Sequence, residues 1–515
     1  MKIKLTQLLL ILSLMSSCNK NDDETNSPQQ LETFPATNVV LSDISDTDTF
    51  ADLAVSFNKA TDETGILEYR IIVTKMGASF TIAQANLLSS NQYNVVVPNG
   101  ADHTINLTDS LRDSDNDQLI DGNSYAVYIL SVADGVDADV NALSIASGTL
   151  QVINQIAAIE STIEEEMGVW GINALAVAMV DENGIIYSKG FGIHNTQNQW
   201  PASENTLFVT SSLSKLIVSV AVMQLVEQGL VDLDEDINTY FGYNIRNPNF
   251  PDIPITPRMV LSHRASLANP NGNEILELNL LYEAGTAPGL EEWIPDYLLT
   301  DGELYNPVIW KDFAPGSGQH ISSNAGMCLM AHMVEVVTGM DYRDYTEDNI
   351  FIPLGMGNTK FRMSEPGSYD DNLLSDNFNG AGALLPAYFD LQMYPSGLLR
   401  TSVDEWSNFL VAILNNGELN GTRILEESSV NEMVTIDYPN ANLAFGAGVG
   451  LVWRQVGDWT GHTGGGFITA SSDINLNAKK GAVILCNKRA AFTVSPDPSN
   501  GRIYYAIHDY LSSLD

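Results

Sequence analysis

Basic residues are scarce: 24 Lys and Arg face 64 Asp and Glu over 515 positions, a formal net charge of −40 at pH 7. A surface this acidic repels nucleic-acid phosphates and anionic lipid headgroups, which argues against both as partners. Cysteine is scarcer, at three residues, so a disulfide-dense scaffold is excluded. Cys328 and Cys486 sit in the apolar stretches Met327–Met330 and Val483–Cys486. Buried free thiols are expected there, with one disulfide as the alternative. After the N-terminus no apolar run approaches the roughly 20 residues that a membrane-spanning helix needs. No internal repeat is evident. His332 and Glu335 share a helical pattern, but no second histidine follows four positions on, so a metal site is not expected. The length calls for two or three domains.

What is present begins with an address. Lys2 and Lys4 precede the short apolar run Leu8–Leu12, and the small residues Ser16 and Ser17 lead into Cys18. This resembles a bacterial lipoprotein signal, which implies removal of residues 1–17 and lipidation of Cys18. The alternative is an ordinary secretory peptide with an incidental cysteine. The acidic stretch Asn19–Glu24 resembles surface-export signals of some Gram-negative lipoproteins. The resemblance therefore implies a protein held at the cell envelope, as an outer-membrane lipoprotein, by a lipid anchor. Residues 18–35 are polar and read as a tether.

Residues 36–153 carry period-two patterns: Leu53, Val55 and Phe57; Tyr69, Ile71 and Val73; Tyr125, Val127 and Ile129. Short alternating runs between turn-rich clusters predict an all-β sandwich. The region loosely resembles fibronectin type III modules, which implies a spacer. Within it, Asp113, Asp115, Asp117 and Asp121 alternate as calcium-loop ligands do. Gln118 and Ser124 stand where such a loop needs glycine and a bidentate glutamate, so a solvated turn is the competing reading.

Residues 154–515 change character. Ile156–Met167 has a helical apolar face; Leu175–Val180 and Gly184–Tyr187 read as strands joined by a turn. Further strands are expected at Gly448–Trp453 and Gly481–Cys486, with helices between. Strands at both ends predict one sheet assembled from the two ends of the region. Thr210–Gly229 reads as a helix apolar on nearly all faces, yet its first turn holds Ser212 and Lys215. Residues three apart share a helix face, so the Ser212 hydroxyl and the Lys215 amine can meet. Desolvation there lowers the amine's proton affinity, which lets it take the serine proton. The helix N-terminus adds positive potential where an oxyanion would form.

Ser-x-x-Lys alone is common. Downstream, however, come Phe313-Ala-Pro315-Gly316, then Ser322-Ser323-Asn324, and finally Gly461-His462-Thr463-Gly464-Gly465-Gly466. This order resembles the serine β-lactamase and penicillin-binding protein family, with its class C-like esterase and D-amino-acid peptidase relatives. Thr206–Phe208, Gly229–Asp236, Ile255–His263, Pro353–Met356 and Ser396–Leu398 resemble supporting segments of that family. The resemblance implies an α+β, DD-peptidase/β-lactamase-like fold, an antiparallel sheet flanked by helices, over residues 154–515.

It further implies that Ser212 attacks a carbonyl, Lys215 takes its proton, and Asn324 bonds Lys215 and the substrate. Backbone amides of Ser212 and Gly465 would form the oxyanion hole. His462, Thr463 and Gly464 would face the substrate. No cofactor is implied; the partner is a small ester, amide, D-amino-acid peptide or, weakly, a β-lactam. Two departures stand out. Ser322 replaces the usual tyrosine proton shuttle of class C-like members, though a hydroxyl can relay a proton. His462 replaces the usual lysine, and it would hold a carboxylate best when protonated. The alternative function is a catalytically degenerate fold that binds envelope material. His263 is expected to be structural. Trp293, Tyr305 and Trp310 belong to a cleft or to the core, and Ser364–Tyr394 to a cleft wall.

Overall fold

The computed structural model describes residues 32–44, 53–75, 80–108, 110–118, 123–151, 155–269, 281–283, 285–361, 370–378, 382–439, 448–466, 468–490 and 501–514. Cys18, the signal-like segment and most of the tether lie outside them, as do Asp121 and parts of Ser364–Tyr394. Two compact units divide between residues 154 and 155.

The N-terminal unit is built from two antiparallel sheets. One pairs Thr37–Asp43, Leu53–Asn58 and His103–Asn106; the other centres on Ile66–Lys75 against Ser124–Ala133. Period two explains their shared core. Leu53, Val55, Phe57, Tyr69, Ile71, Val73, Tyr125, Val127 and Ile129 all face inward and are at most 2% exposed. Ile72 and Leu130 point the other way and are also buried, against Ala85 of the short helix Ile82–Ala85.

In the aspartate turn, Asp113 Oδ1 accepts from the amides of Asp115 and Asp117, both at 2.9 Å. A cation already stands among the carboxylates: Lys75 Nζ lies 2.5 Å from Asp117, 3.4 Å from Asp113 and 3.9 Å from Asp115. The single positive charge of the ammonium partly offsets the three carboxylates. Among the described residues no cluster of three or more ligands fit for a metal occurs.

The second unit opens with α1 (Gln155–Trp170), then β1 (Ala174–Asp181), β2 (Gly184–Asn195) and β3 (Trp200–Pro201). The helices that build the site are α2 (Ser214–Glu227), α3 (Asn324–Thr338) and α4 (Val403–Leu414). Strands β4 (Tyr438–Pro439), β5 (Gly448–Val449), β6 (Arg454–Val456), β7 (Trp459–Gly464), β8 (Ala470–Asn475) and β9 (Lys480–Cys486) precede α5 (Arg502–Ser513). All nine strands form one antiparallel sheet in the order β3-β2-β1-β9-β8-β7-β6-β5-β4. β1 and β9 pair from Asp181↔Lys480 to Leu175↔Cys486, so the two ends of the region do close one sheet. Apolar residues on both faces of β1 explain why: the sheet is covered twice. Ala174, Ala176, Ala178 and Val180 join the large helical core, whereas Leu175, Val177 and Met179 pack under α1 and α5. Burying a single such side chain stabilises by about 1.5–3 kcal/mol.

Trp293 and Trp310 belong to the helical core, with Tyr305 packed against it. Cys328 and Cys486 are buried free thiols. No described helix is long and apolar enough to cross a membrane.

Candidate active site

The α2 helix is reached through a tight entry. Phe208 and Val209 pair with Thr401 and Arg400, and Thr210 N–H donates to Leu399 O at 2.8 Å. Ser211–Leu213 then form a single 3-10 turn before the α-helix starts at Ser214. Ser211 has φ +50°, in the left-handed region that non-glycine residues rarely enter. Its hydroxyl donates to Gly465 O at 3.1 Å, which ties the turn to the end of β7. The hydroxyl of Ser214 donates back to Ser211 O at 2.7 Å. Ser212, projecting from this braced turn, is half-buried.

Lys215 lies one turn on and is 1% exposed. Its Nζ donates to Ser212 Oγ at 2.7 Å and to Ser396 O at 2.8 Å. The second acceptor is thus the Ser396 carbonyl and not Asn324. The Ser396–Leu398 segment reaches Lys215 because the pairing of residues 208–210 with 399–401 draws it alongside. Among the described residues no carboxylate is paired with the amine. Burial above all, opposed by Cys328 and helped by the Arg454 charge, pulls the Lys215 pKa down to about 7.

On the opposite wall, Ser323 caps α3 by accepting from Gly326 N at 3.0 Å. Asn324 is buried, and its amide donates to Asn269 Oδ1 at 2.8 Å. Ser322 is exposed. His263 braces this wall as a structural residue does. Its carbonyl accepts from Ile321 N at 2.9 Å, and its Nδ1 accepts from Ser323 N at 3.4 Å. Both amides, 321 and 323, thus lean on His263, and His320 lies two residues before Ser322 on the same segment. The His320 ring meets His263 edge to face at 5.4 Å. The Nε2 atoms of both rings are buried without a hydrogen-bond partner.

The third wall is β7. His462 Nδ1 lies 2.8 Å from Thr463 O, so it donates, and Nε2 is left as an acceptor. Burial, then the charges of Arg454 and Lys215, hold the His462 pKa well below the usual histidine range. His462 is therefore neutral at neutral pH, not in the protonated form that would hold a carboxylate best. The permanent cation is Arg454 on the neighbouring strand, whose Nη2 donates to Thr463 Oγ1. Its Nε–H is buried without a partner. Burial depresses His263, helped by the charges of His320, Lys215 and Arg454, and burial followed by the Arg454 charge lowers His320 to about 4. Lys215, Arg454, His263, His320 and His462 therefore share one electrostatic neighbourhood.

The sequence reading named Ser212, Lys215, Ser322, Asn324, His462 and Thr463 but missed Arg454 and His320. A lone arginine one strand before His-Thr-Gly, and a histidine two residues before Ser322, were the available signals. His332, by contrast, is spent within its own helix, with Nδ1 at 3.1 Å from Glu335.

This layout has counterparts. A Beta-lactamase family model matches residues 159–501, about two-thirds of the chain. The human "Putative beta-lactamase-like 1" is 26% identical over 267 residues, 50% of this chain and 49% of its own length. "Penicillin-binding protein 4*" of Bacillus subtilis is 27% identical over 184 residues, 36% of this chain and 37% of its own. These alignments span about half or less of either relative. Among solved structures, a D-amino acid amidase from Ochrobactrum anthropi SV3 superposes with a TM-score of 0.56 at 20% identity, covering 70% of this chain and 99% of that one. An octameric penicillin-binding protein homologue from Pyrococcus abyssi gives 0.54 at 22% identity, covering 69% and 77%. Ser212 and Lys215 at the head of a buried helix, a sheet closed by both ends of the region, and a family match spanning both place this chain in the Beta-lactamase family.

Proposed function

We propose that the chain is an envelope serine hydrolase that cleaves small amides, esters or D-amino-acid peptides bearing a free carboxylate, through a Ser212 acyl-enzyme. One observation carries the reading: a buried amine with a pKa near 7 lies 2.7 Å from the Ser212 hydroxyl. Neutral Lys215 takes the hydroxyl proton as Ser212 Oγ bonds the carbonyl carbon. The carbonyl oxygen gains negative charge and is met by the amides of Ser212 and Gly465. The scissile bond then breaks, and its leaving nitrogen or oxygen receives a proton. Water repeats the sequence against the ester, releasing the acid and restoring Ser212.

The leaving group takes its proton through Ser322 or through His320, two residues before it. Comparing Ser322→Ala with His320→Phe separates them, since only loss of the true carrier lowers kcat by about 10²-fold or more. In this reading Asn324 orients the substrate amide, while His462 and Gly464 line the cleft. Thr463 faces the substrate carboxylate, and the Arg454 guanidinium that donates to its hydroxyl supplies permanent positive charge behind it.

The test is labelling with a fluorophosphonate, followed by turnover of p-nitrophenyl esters, D-alanyl dipeptides and nitrocefin. Labelling of Ser212→Ala at the wild-type rate would sink the nucleophile assignment. The exposed position of Ser322 favours a second reading, a degenerate binder; stoichiometric labelling without turnover of any substrate class would support it. Anchoring through Cys18 belongs to the same proposal. It predicts that wild type incorporates radiolabelled palmitate and that Cys18→Ala does not.

A further inference from the structure

Ser212 N–H and Gly465 N–H come from segments far apart in the chain, and the gap between them has to be fixed by something in the fold. Gly465 lies one residue past β7, whose pairing with β8 ends at Gly464↔Ala470. It is exposed, and among the described residues a Cβ placed on it would meet nothing within 4 Å. Gly464, Gly465 and Gly466 follow one another, which gives this backbone unusual freedom. Neither the strand ladder nor side-chain packing therefore holds the Gly465 peptide in place.

The turn before α2 reaches across to it. The bare Gly464 lets the two come close: a Cβ there would stand 2.8 Å from Thr210 O and 2.9 Å from Ser211 Cβ. Across this contact the Ser211 hydroxyl donates to Gly465 O at 3.1 Å. Ser211 is 3% exposed, so little water competes for that hydroxyl from its own side. Its φ of +50° is a conformation that serine enters at a cost, and such costs gather at functional sites. The Ser214 hydroxyl, donating to Ser211 O at 2.7 Å, braces the turn from α2. The Ser211 carbonyl belongs to the same peptide as the Ser212 N–H. One hydrogen bond thus joins the residue before the first amide to the residue that carries the second.

We propose that Ser211 is a positioning residue: by tying Gly465 O to the nucleophile turn, its hydroxyl sets the spacing of the Ser212 and Gly465 amides. The proposal rests on the reading of these two amides as the oxyanion hole. Donors in such a hole must stand about 2.7–3.1 Å from the oxygen that gains charge. Removing one donor outright costs about 10²–10³-fold in kcat, so letting one drift costs less. The loss falls on the tetrahedral state and not on bound substrate, so it belongs to kcat and leaves KM alone.

The experiment uses the full chain as wild type, Ser211→Ala, Ser211→Gly and Ser212→Ala. Turnover of a p-nitrophenyl ester is measured beside inhibition by phenylboronic acid, whose tetrahedral adduct with Ser212 puts an oxygen between the two amides. Both Ser211 variants should lose about tenfold in kcat with KM within about twofold, and boronate affinity should fall by a similar factor. Their melting temperatures should differ. Glycine accepts a φ of +50° without strain and alanine does not, so Ser211→Gly should melt above Ser211→Ala. Equal losses of turnover at unequal stability are what a merely structural serine would not give. Ser211→Gly with wild-type kcat and wild-type boronate affinity overturns the positioning role. The wild-type pH midpoint of fluorophosphonate labelling should persist in both variants. A shift of about one pH unit or more would mean that Ser211 acts through Lys215, which overturns the role too. If wild type binds the boronate no better than Ser212→Ala does, the acyl-enzyme reading fails first and the proposal falls with it. Where the wild type turns no ester over, boronate affinity alone decides. Should Ser211→Ala lose its cooperative melting, Ser211→Gly decides.

Discussion

Two lysines, one in each unit, show what surroundings do to the same side chain. Lys75 lies among Asp113, Asp115 and Asp117 at the edge of the N-terminal sheets. Its pKa is raised, first by the hydrogen bond to Asp117 and further by the charge of Asp113. Lys215 has no carboxylate against it and is buried by the helical core, so its pKa falls to about 7. Charge neutralisation makes the first a permanent cation that closes a turn. Desolvation without neutralisation makes the second a base. The difference lies in the partners supplied, and four variants probe it.

The largest effects belong to Lys215 and its neighbour. Ser212→Ala should abolish fluorophosphonate labelling, and Lys215→Arg should slow it by about 10²–10⁴-fold, because a guanidinium does not surrender its proton at neutral pH. Rates from gel fluorescence over time check both. The wild-type pH profile comes next. Labelling should rise with pH and reach half its maximum near 7, where Lys215 loses its proton; a rise centred near 10 would remove the desolvated base from the account.

Giving Lys215 the partner that Lys75 has should erase the contrast. Cys328, buried on α3, is among the groups acting electrostatically on Lys215. Cys328→Asp should move the labelling midpoint upward by about one pH unit or more, in protein whose melting remains cooperative. The smallest effect is on the N-terminal side. Asp113→Ala strips the acceptor from two amides and should cost about 1–3 kcal/mol, read as a lower urea unfolding midpoint, while hydrolysis is unchanged.

Much of the fold was legible because period and burial are local. Tyr69, Ile71 and Val73 alternate and are all buried, and Leu175–Val180 reads as a strand buried on both faces. The buried cover over Ile72 was not legible, because Ile82–Ala85 is too short to show a period. Ser212 and Lys215 were readable for the same local reason as the strands, being three positions apart on one helix. Arg454 was not, since its place beside Thr463 follows from strand register, and register is set by whole strands. The role of Ser396 was likewise hidden: nothing near residue 396 says that its carbonyl meets an amine 181 positions away. His462 is legible by its motif, but its charge state depends on burial and on Arg454, and both are tertiary.

By itself, then, the sequence determined the pair at the head of a buried helix, the order of the motifs around it, and the sheet closed from both ends. Each follows from spacing along a periodic backbone. Only the tertiary structure decided which groups hold protons. Burial of Lys215, its acceptor at Ser396 and the unprotonated His462 all arise from distant segments. Proton affinity answers to local dielectric and neighbouring charge, and folding brings those together from far along the chain.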